Sequence, residues 1–273
     1  MTTETRRESA AETVREVLAA TTGETERYVI NPSETFLLAL ASVAAETRDV
    51  PPLRVLGRRD ALRVLRTDFT AGSRVADLVA DGSVTIREAA LDDETPMLVA
   101  EDGIYALVLV ADVTGTVVAR PDELVAEVRE TCAELWADAD PYPLRLPGYD
   151  RLRESALTDL GEAFRDDLDT ALTVADDLDD PDAFHPVRAV VAVAAHRELL
   201  HYDVSRWGED CGLASTASFS RHKTDLEDAG LVDTEKVPVD MGRPRQRLLL
   251  TDEARDLVDT EGVAALIRRA IAV

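Results

Sequence analysis

Apolar residues recur along the chain with two different periods, and the switches between them outline its elements. Val14, Val17 and Leu18 fall on one face of an amphipathic helix predicted over 4–20. RYVI (27–30) reads as a strand. Asn31-Pro32-Ser33 breaks it and can cap a helix through FLLALASVAA (36–45). LRVL (53–56) is a second strand, closed by Gly57. Two short helices fit 60–67 and 71–80, with Gly82 where a C-terminal cap belongs. VTIREA (84–89) is a third strand. MLVA (97–100), the turn Glu101-Asp102-Gly103 and IYALVLVAD (104–112) make a hairpin, and Thr114-Gly115 turns the chain into TVVA (116–119). Pro121 opens a helix that runs to Asp138. Strands alternating with helices predict an α/β domain, placed at residues 1–145.

ADADPYPLRLPGYD (137–150) holds three prolines and a glycine and reads as the linker. Beyond it the pattern is helical. Leu152, Ala156, Leu160, Phe164, Leu168, Leu172, Ala175 and Leu178 step by three and four, as one long helix or two broken near Gly161. PVRAVVAVAAHRELLHY (186–202) reads as one helix, and Asp203 as the cap of a short helix over 204–211 that Gly212 stops. Ser215 caps a third helix ending at Gly230. LVDTEKV (231–237) and RLLL (247–250) are strands flanking a tip, VPVDMGRPRQ. Thr251 caps a final helix. This order is that of a winged helix-turn-helix. The predicted fold class is α+β: an N-terminal α/β domain followed by a C-terminal winged helix-turn-helix domain within 150–273.

Charge changes the picture. The 273 residues carry 54 acids against 30 bases, a net charge of −24. Only Lys223 and Lys236 are lysines, so 28 of the bases are arginine. Dense carboxylates spread over the whole chain suit a protein kept hydrated in molar salt, where the Debye length is about 3 Å. The composition predicts a halophile, an archaeon with a salt-filled cytoplasm. No apolar run reaches about 18 residues, and the N-terminus lacks the apolar core of a secretory signal, so a cytoplasmic protein without membrane contact is expected. Cys132 and Cys211 are isolated and read as ordinary buried thiols.

The candidate DNA-binding residues lie on the third helix of the motif and on the wing. Phe219 and Leu226 define a buried face. The opposite face carries Ala217, Arg221 and Thr224, flanked by Ser218 and Ser220, with Ser215 and Thr216 at the helix start. Arginine can grip guanine with two hydrogen bonds, and hydroxyls can reach phosphate or base. Lys223 falls where an aliphatic residue is expected. It either buries its stem and lifts its ammonium toward phosphate or is a plain boundary residue. At the tip Arg243, Arg245 and Arg247 alternate, and residues 241–250 contain no acid. The competing reading is a solvated hairpin that balances Asp240 and Asp252. Residues 215–250 hold six bases and six acids, so this unit is neutral within an acidic protein. In molar salt counterion release contributes little. Affinity then rests on groove fit, hydrogen bonds and a second copy of the module. A homodimer is therefore expected, with the 150–178 helix or the C-terminal helix as its interface.

GLASTASFSRHKTDLEDAGLVDTE (212–235), MGRPRQRLLLT (241–251), NPSETFLLALA and ETPMLVAEDGIYALV resemble the haloarchaeal TbsP-type transcriptional regulators. The resemblance implies a regulator of metabolic genes that binds double-stranded DNA, with an N-terminal domain of sensing type. Arg58, Arg59, Asp60 and Arg87 are polar candidates there for a small-molecule effector, with a second regulator as the other partner. The domain can equally be a dimerisation scaffold. Two rivals stay open: a winged helix used for protein contact, and a metabolite-binding α/β protein without direct DNA contact. The chain has no GxGxxG, P-loop or GxSxG, and His196 and His201 are five residues apart, off the spacing of a helical metal pair. No enzyme, metal or cofactor is expected.

Overall fold

RYVI, buried at all four positions, becomes the centre of a seven-stranded sheet. The computed structural model describes residues 3–21, 26–46, 51–91, 95–110, 113–238 and 244–273. The chain divides into one unit of Met1–Thr67 with Ala71–Arg145 and another of Asp68–Thr70 with Leu146–Val273.

The first unit runs α1 (Thr3–Ala20), β1 (Arg27–Ile30), α2 (Glu34–Glu46), β2 (Leu53–Gly57), α3 (Arg59–Leu62), α4 (Val64–Thr67), α5 (Phe69–Ala80, of which Phe69 and Thr70 belong to the second unit), β3 (Val84–Glu88), β4 (Met97–Val99), β5 (Ile104–Val110), β6 (Val113–Ala119), α6 (Asp122–Asp138) and β7 (Asp140–Pro141). The sheet order is β6-β5-β4-β1-β2-β3-β7. β1, β2 and β3 are parallel, as their helical connections require. The other pairings are antiparallel. Val125, Cys132 and Trp136 of α6 pack on Tyr28, Ile30, Leu56, Val99 and Ile104. Trp136 also carries the guanidinium groups of Arg54 and Arg87, 5.4 and 4.8 Å from its ring. Burial pushes the Cys132 thiol up to about 11, so it stays protonated.

Two expectations for this half change. Thr114 and Gly115 do not turn; they sit inside β6, opposite Leu109 and Val108. The expected linker also starts later. Asp140 and Pro141 pair with Glu88 and Arg87 at the sheet edge, where a proline's missing N–H is tolerated. Tyr142 Oη then donates to the Leu62 carbonyl (3.2 Å).

The second unit runs α7 (Tyr149–Asp159), α8 (Glu162–Asp176), α9 (Pro186–His196), α10 (His201–Asp210), α11 (Thr216–Asp228), β8 (Val232–Val237), β9 (Arg245–Leu250), α12 (Asp252–Glu261) and α13 (Val263–Ile271). Gly161 (φ +96°) separates α7 from α8, and Gly262 (φ +83°) splits the expected final helix in two. Leu152, Ala156, Phe164, Leu168, Leu172 and Ala175 are interior, as are Leu266, Ile267 and Ala270. The apolar faces that suggested a dimer interface are thus largely occupied within this unit.

Candidate nucleic-acid interface

The expected helix over 186–202 ends at His196. Glu198 takes a left-handed conformation (φ +54°), which a helix cannot continue through. Leu199 then accepts the Leu248 N–H (2.9 Å), and Leu200 bridges to Arg247. This short extended stretch adds to the edge of the β8–β9 hairpin and starts α10 two residues before Asp203. Asp203 is therefore in the first turn of α10 and not its cap; Leu200 holds that place.

α10 and α11 form the helix-turn-helix. Gly212 (φ +85°) makes the turn, and the Leu213 and Ala214 N–H groups both donate to the Gly208 carbonyl (2.8 and 3.3 Å). Ser215 caps α11 by accepting the Ser218 N–H (3.3 Å), and Glu209 accepts the Thr216 N–H (3.3 Å). Phe219 and Leu226 are fully buried and fix the rotation of α11. The opposite face then exposes Thr216, Ala217, Ser220, Arg221 and Thr224, with Ser215 exposed at the cap and Ser218 half-buried.

Arg221 makes no hydrogen bond or ion pair with the described residues. Ser220 and Thr224 donate their hydroxyls back to the Thr216 and Ser220 carbonyls (3.1 and 3.2 Å), which leaves their oxygens free as acceptors. Lys223 is turned inward instead. It is buried, and its Nζ donates to both Glu227 oxygens (2.7 and 2.8 Å), while Glu227 Oε1 also accepts from Thr234 (3.2 Å). Its ammonium therefore holds the Glu227 carboxylate, which joins α11 to β8 through Thr234, rather than facing solvent.

On the wing, Arg245 stands opposite Val237 and Arg247 opposite Glu235. Two residues apart on a strand, they share one face of the hairpin. Arg245 lies over the Tyr202 ring (4.2 Å) and donates to Asp203 (3.1 Å). Arg247 donates to Glu235 (2.7 Å). Their acidic partners are thus Asp203 and Glu235. Asp252 pairs with Arg255, while Asp240 and Arg243 lie outside the described residues.

Comparison with protein families gives two matches that adjoin each other close to the division at Arg145 and Leu146. The N-terminal domain of the TbsP-like transcriptional regulators matches residues 2–147, and their C-terminal HTH domain matches residues 148–268. The chain belongs to the TbsP-like transcriptional regulators. Among solved structures, TrmBL2, an archaeal chromatin protein described as showing a novel mode of DNA binding, is 15% identical with a TM-score of 0.37. That match covers 50% of this chain and 52% of the other, about half the length of each. No curated protein matches.

Three residues of this TbsP-like chain were not singled out from sequence. Gly208 is one: a Cβ there would lie 2.2 Å from the Phe219 ring. Lys236 is exposed and unpaired among the described residues, and Tyr202 is 45% exposed beneath Arg245. Only Lys236 had a legible signal, as one of two lysines in the chain. In the N-terminal unit the polar candidates have internal partners. Arg58 pairs with Asp60 (3.3 Å) and Arg59 with Glu88 (2.9 Å), and Arg87 donates to the Trp136 carbonyl (2.6 Å). Among the described residues no group of three or more His, Cys, Asp or Glu side chains is placed to hold a metal ion. None of the described helices is long and apolar enough to cross a membrane.

Proposed function

We propose that this chain is a sequence-specific DNA-binding regulator of metabolic genes in a halophilic archaeon. The observation that carries the reading is the outward face of α11. It presents one arginine with no partner among the described residues, Arg221, amid the small and hydroxyl residues Thr216, Ala217, Ser220 and Thr224, while Phe219 and Leu226 anchor the other side. Such a helix fits the major groove, and Arg221 suits the O6 and N7 edge of guanine. Arg245 and Arg247, with Arg243 at the tip, flank the groove on the phosphate side. Ser215 and Ser218 hold the start of α11, and Lys223 stabilises it from beneath. A second copy on a paired site supplies the affinity that counterion release does not provide in molar salt. The N-terminal sheet serves as the unit that receives a small-molecule effector or a second regulator.

Selection of bound duplexes from a random pool by the full chain in molar KCl tests this. Enrichment of one recurring sequence is expected, with loss of one conserved guanine preference in Arg221→Ala. A pool that stays random after repeated rounds with folded protein overturns the reading.

A further inference from the structure

Both described wing arginines are already engaged, each by a carboxylate that faces solvent as openly as the arginine does. Arg245 and Asp203 have side chains 39% and 46% exposed; Arg247 and Glu235 have 38% and 48%. Exposed pairs of this kind add little to the stability of a fold. The buried pair Lys223–Glu227 differs, since its lysine is shut inside the domain. Asp203 and Glu235 each accept one hydrogen bond from a guanidinium that has five N–H donors. Arg245 is held by two neighbours at once, the ring of Tyr202 and the carboxylate of Asp203. Two positive charges on the shared face of the hairpin therefore meet two negative ones, Glu235 from β8 and Asp203 from α10. A phosphate that reaches either arginine also comes within a few ångströms of its acid.

We propose that Asp203 and Glu235 are an electrostatic brake on backbone binding. They compete with DNA phosphate for Arg245 and Arg247, and ionic strength sets how hard they act. In dilute salt the carboxylate–phosphate repulsion is unscreened and the brake is on. In molar salt the Debye length is about 3 Å, the repulsion fades, and the arginines are free to add a phosphate oxygen to the donors they still hold. Salt then removes an attraction and a repulsion together, and the affinity of the chain for DNA changes little across a wide salt range. This inference rests on the reading of the hairpin as a DNA contact.

The amide variants Asp203→Asn and Glu235→Gln keep an oxygen for the arginine to bond and remove the charge. The full chain, each single variant and the double variant would be titrated against a short fluorescein-labelled duplex of mixed sequence. Anisotropy would be read from about 0.2 to about 2 M KCl, at salts where circular dichroism matches the wild type. The double variant should bind about three- to tenfold tighter at the low end, with the gain falling below about twofold at the high end. Across that decade of salt its plot of log affinity against log salt should steepen by about half a unit to one unit in all. Asp259→Asn, an exposed acid of α12, reports the effect of one unit of net charge and should change affinity less than about twofold. Unchanged or weaker binding by the amide variants, with the wild type binding well, overturns the brake; weaker binding would make the carboxylates positioning groups. Failure of wild type and variants alike to bind any duplex removes the DNA reading itself, and the brake with it.

Discussion

Gly208 lies so close beneath Phe219 that a methyl group on it would overlap the ring, with 2.2 Å between the Cβ position and two ring carbons. The crossing of α10 over α11 depends on that contact, because Phe219 is fully buried and has no room to retreat. In an ordinary helix interior, alanine in place of glycine stabilises by about 0.5–1 kcal/mol. Here Gly208→Ala should destabilise by about 2–3 kcal/mol, the effect of overpacking a closed core. Urea unfolding of the full chain in high salt measures the difference. The pair Gly208→Ala with Phe219→Leu should recover part of the loss, since the smaller side chain vacates the space.

Arg221 and the wing arginines should separate by what they lose. Arg221→Ala removes an exposed side chain with no partner among the described residues, so its unfolding midpoint should not move. Affinity for the selected sequence should fall by about 1–3 kcal/mol, while affinity for scrambled duplex barely changes. Arg245→Ala with Arg247→Ala should lower affinity for both duplexes alike. Anisotropy titrations on the two duplexes check this; equal losses on both from Arg221→Ala would place that residue on the backbone instead.

The helix-turn-helix was readable because its signals are local. Ser215 before a helix, Gly212 in the turn and the seven-residue step from Phe219 to Leu226 each follow from the chain's own geometry. The end of α9 was not readable for the opposite reason. Nothing in HRELLHY marks Glu198 for a left-handed conformation; the pairing of Leu199 and Leu200 with β9 imposes it, and that partner is nearly fifty residues away. Pro141 misled in the same manner, since a proline that suggests a linker is also allowed on an edge strand. Lys223 was legible only as a departure from the apolar pattern. Its partner decided its role, and Glu227 one turn later could as readily have stayed in water. The acids that hold the wing arginines come from α10 and the facing strand, so β9, a strand without acid in sequence, is not without acid in space.

Asp167 and Arg197 show how much a buried charge depends on one partner. Asp167 is 5% exposed on α8, and Arg197, just after α9, grips it with two hydrogen bonds of 2.6 and 2.7 Å. His196 approaches the same carboxylate at 3.8 Å. Arg197→Met leaves the carboxylate without its main partner and should destabilise the chain by about 3–5 kcal/mol. Arg197→Lys should recover only a fraction, because an ammonium cannot reproduce the planar two-point contact. Arg197→Met combined with Asp167→Leu should be far less harmful than Arg197→Met alone. A double-mutant cycle from urea unfolding reads the coupling, and additive losses would show that the pair does not act as a unit.

Acid should weaken the domain through His185. Its ring meets the His222 ring at 4.2 Å, and its Nδ1 is buried without a hydrogen bond among the described residues. Burial, then the nearby His222 and Arg188, push its pKa down to about 4, although Asp225 pulls the other way. His222 Nδ1 and Arg188 both turn to that Asp225 carboxylate, at 2.9 and 3.6 Å. The folded chain therefore resists taking a proton on His185 that the unfolded chain accepts near pH 6.5. Above that pH the ring is neutral in both states and nothing is lost. As pH falls from about 6.5 toward 4, the unfolded state gains the proton first and stability drops. With the side chain only partly enclosed, the loss from this group should be about 1–2 kcal/mol. His201, also lowered chiefly by burial, adds to the same trend. His185→Asn removes one share of it. Unfolding free energies at pH 7.5 and 5, compared between wild type and variant, should show the flatter dependence in the variant, and identical slopes would assign the acid sensitivity elsewhere.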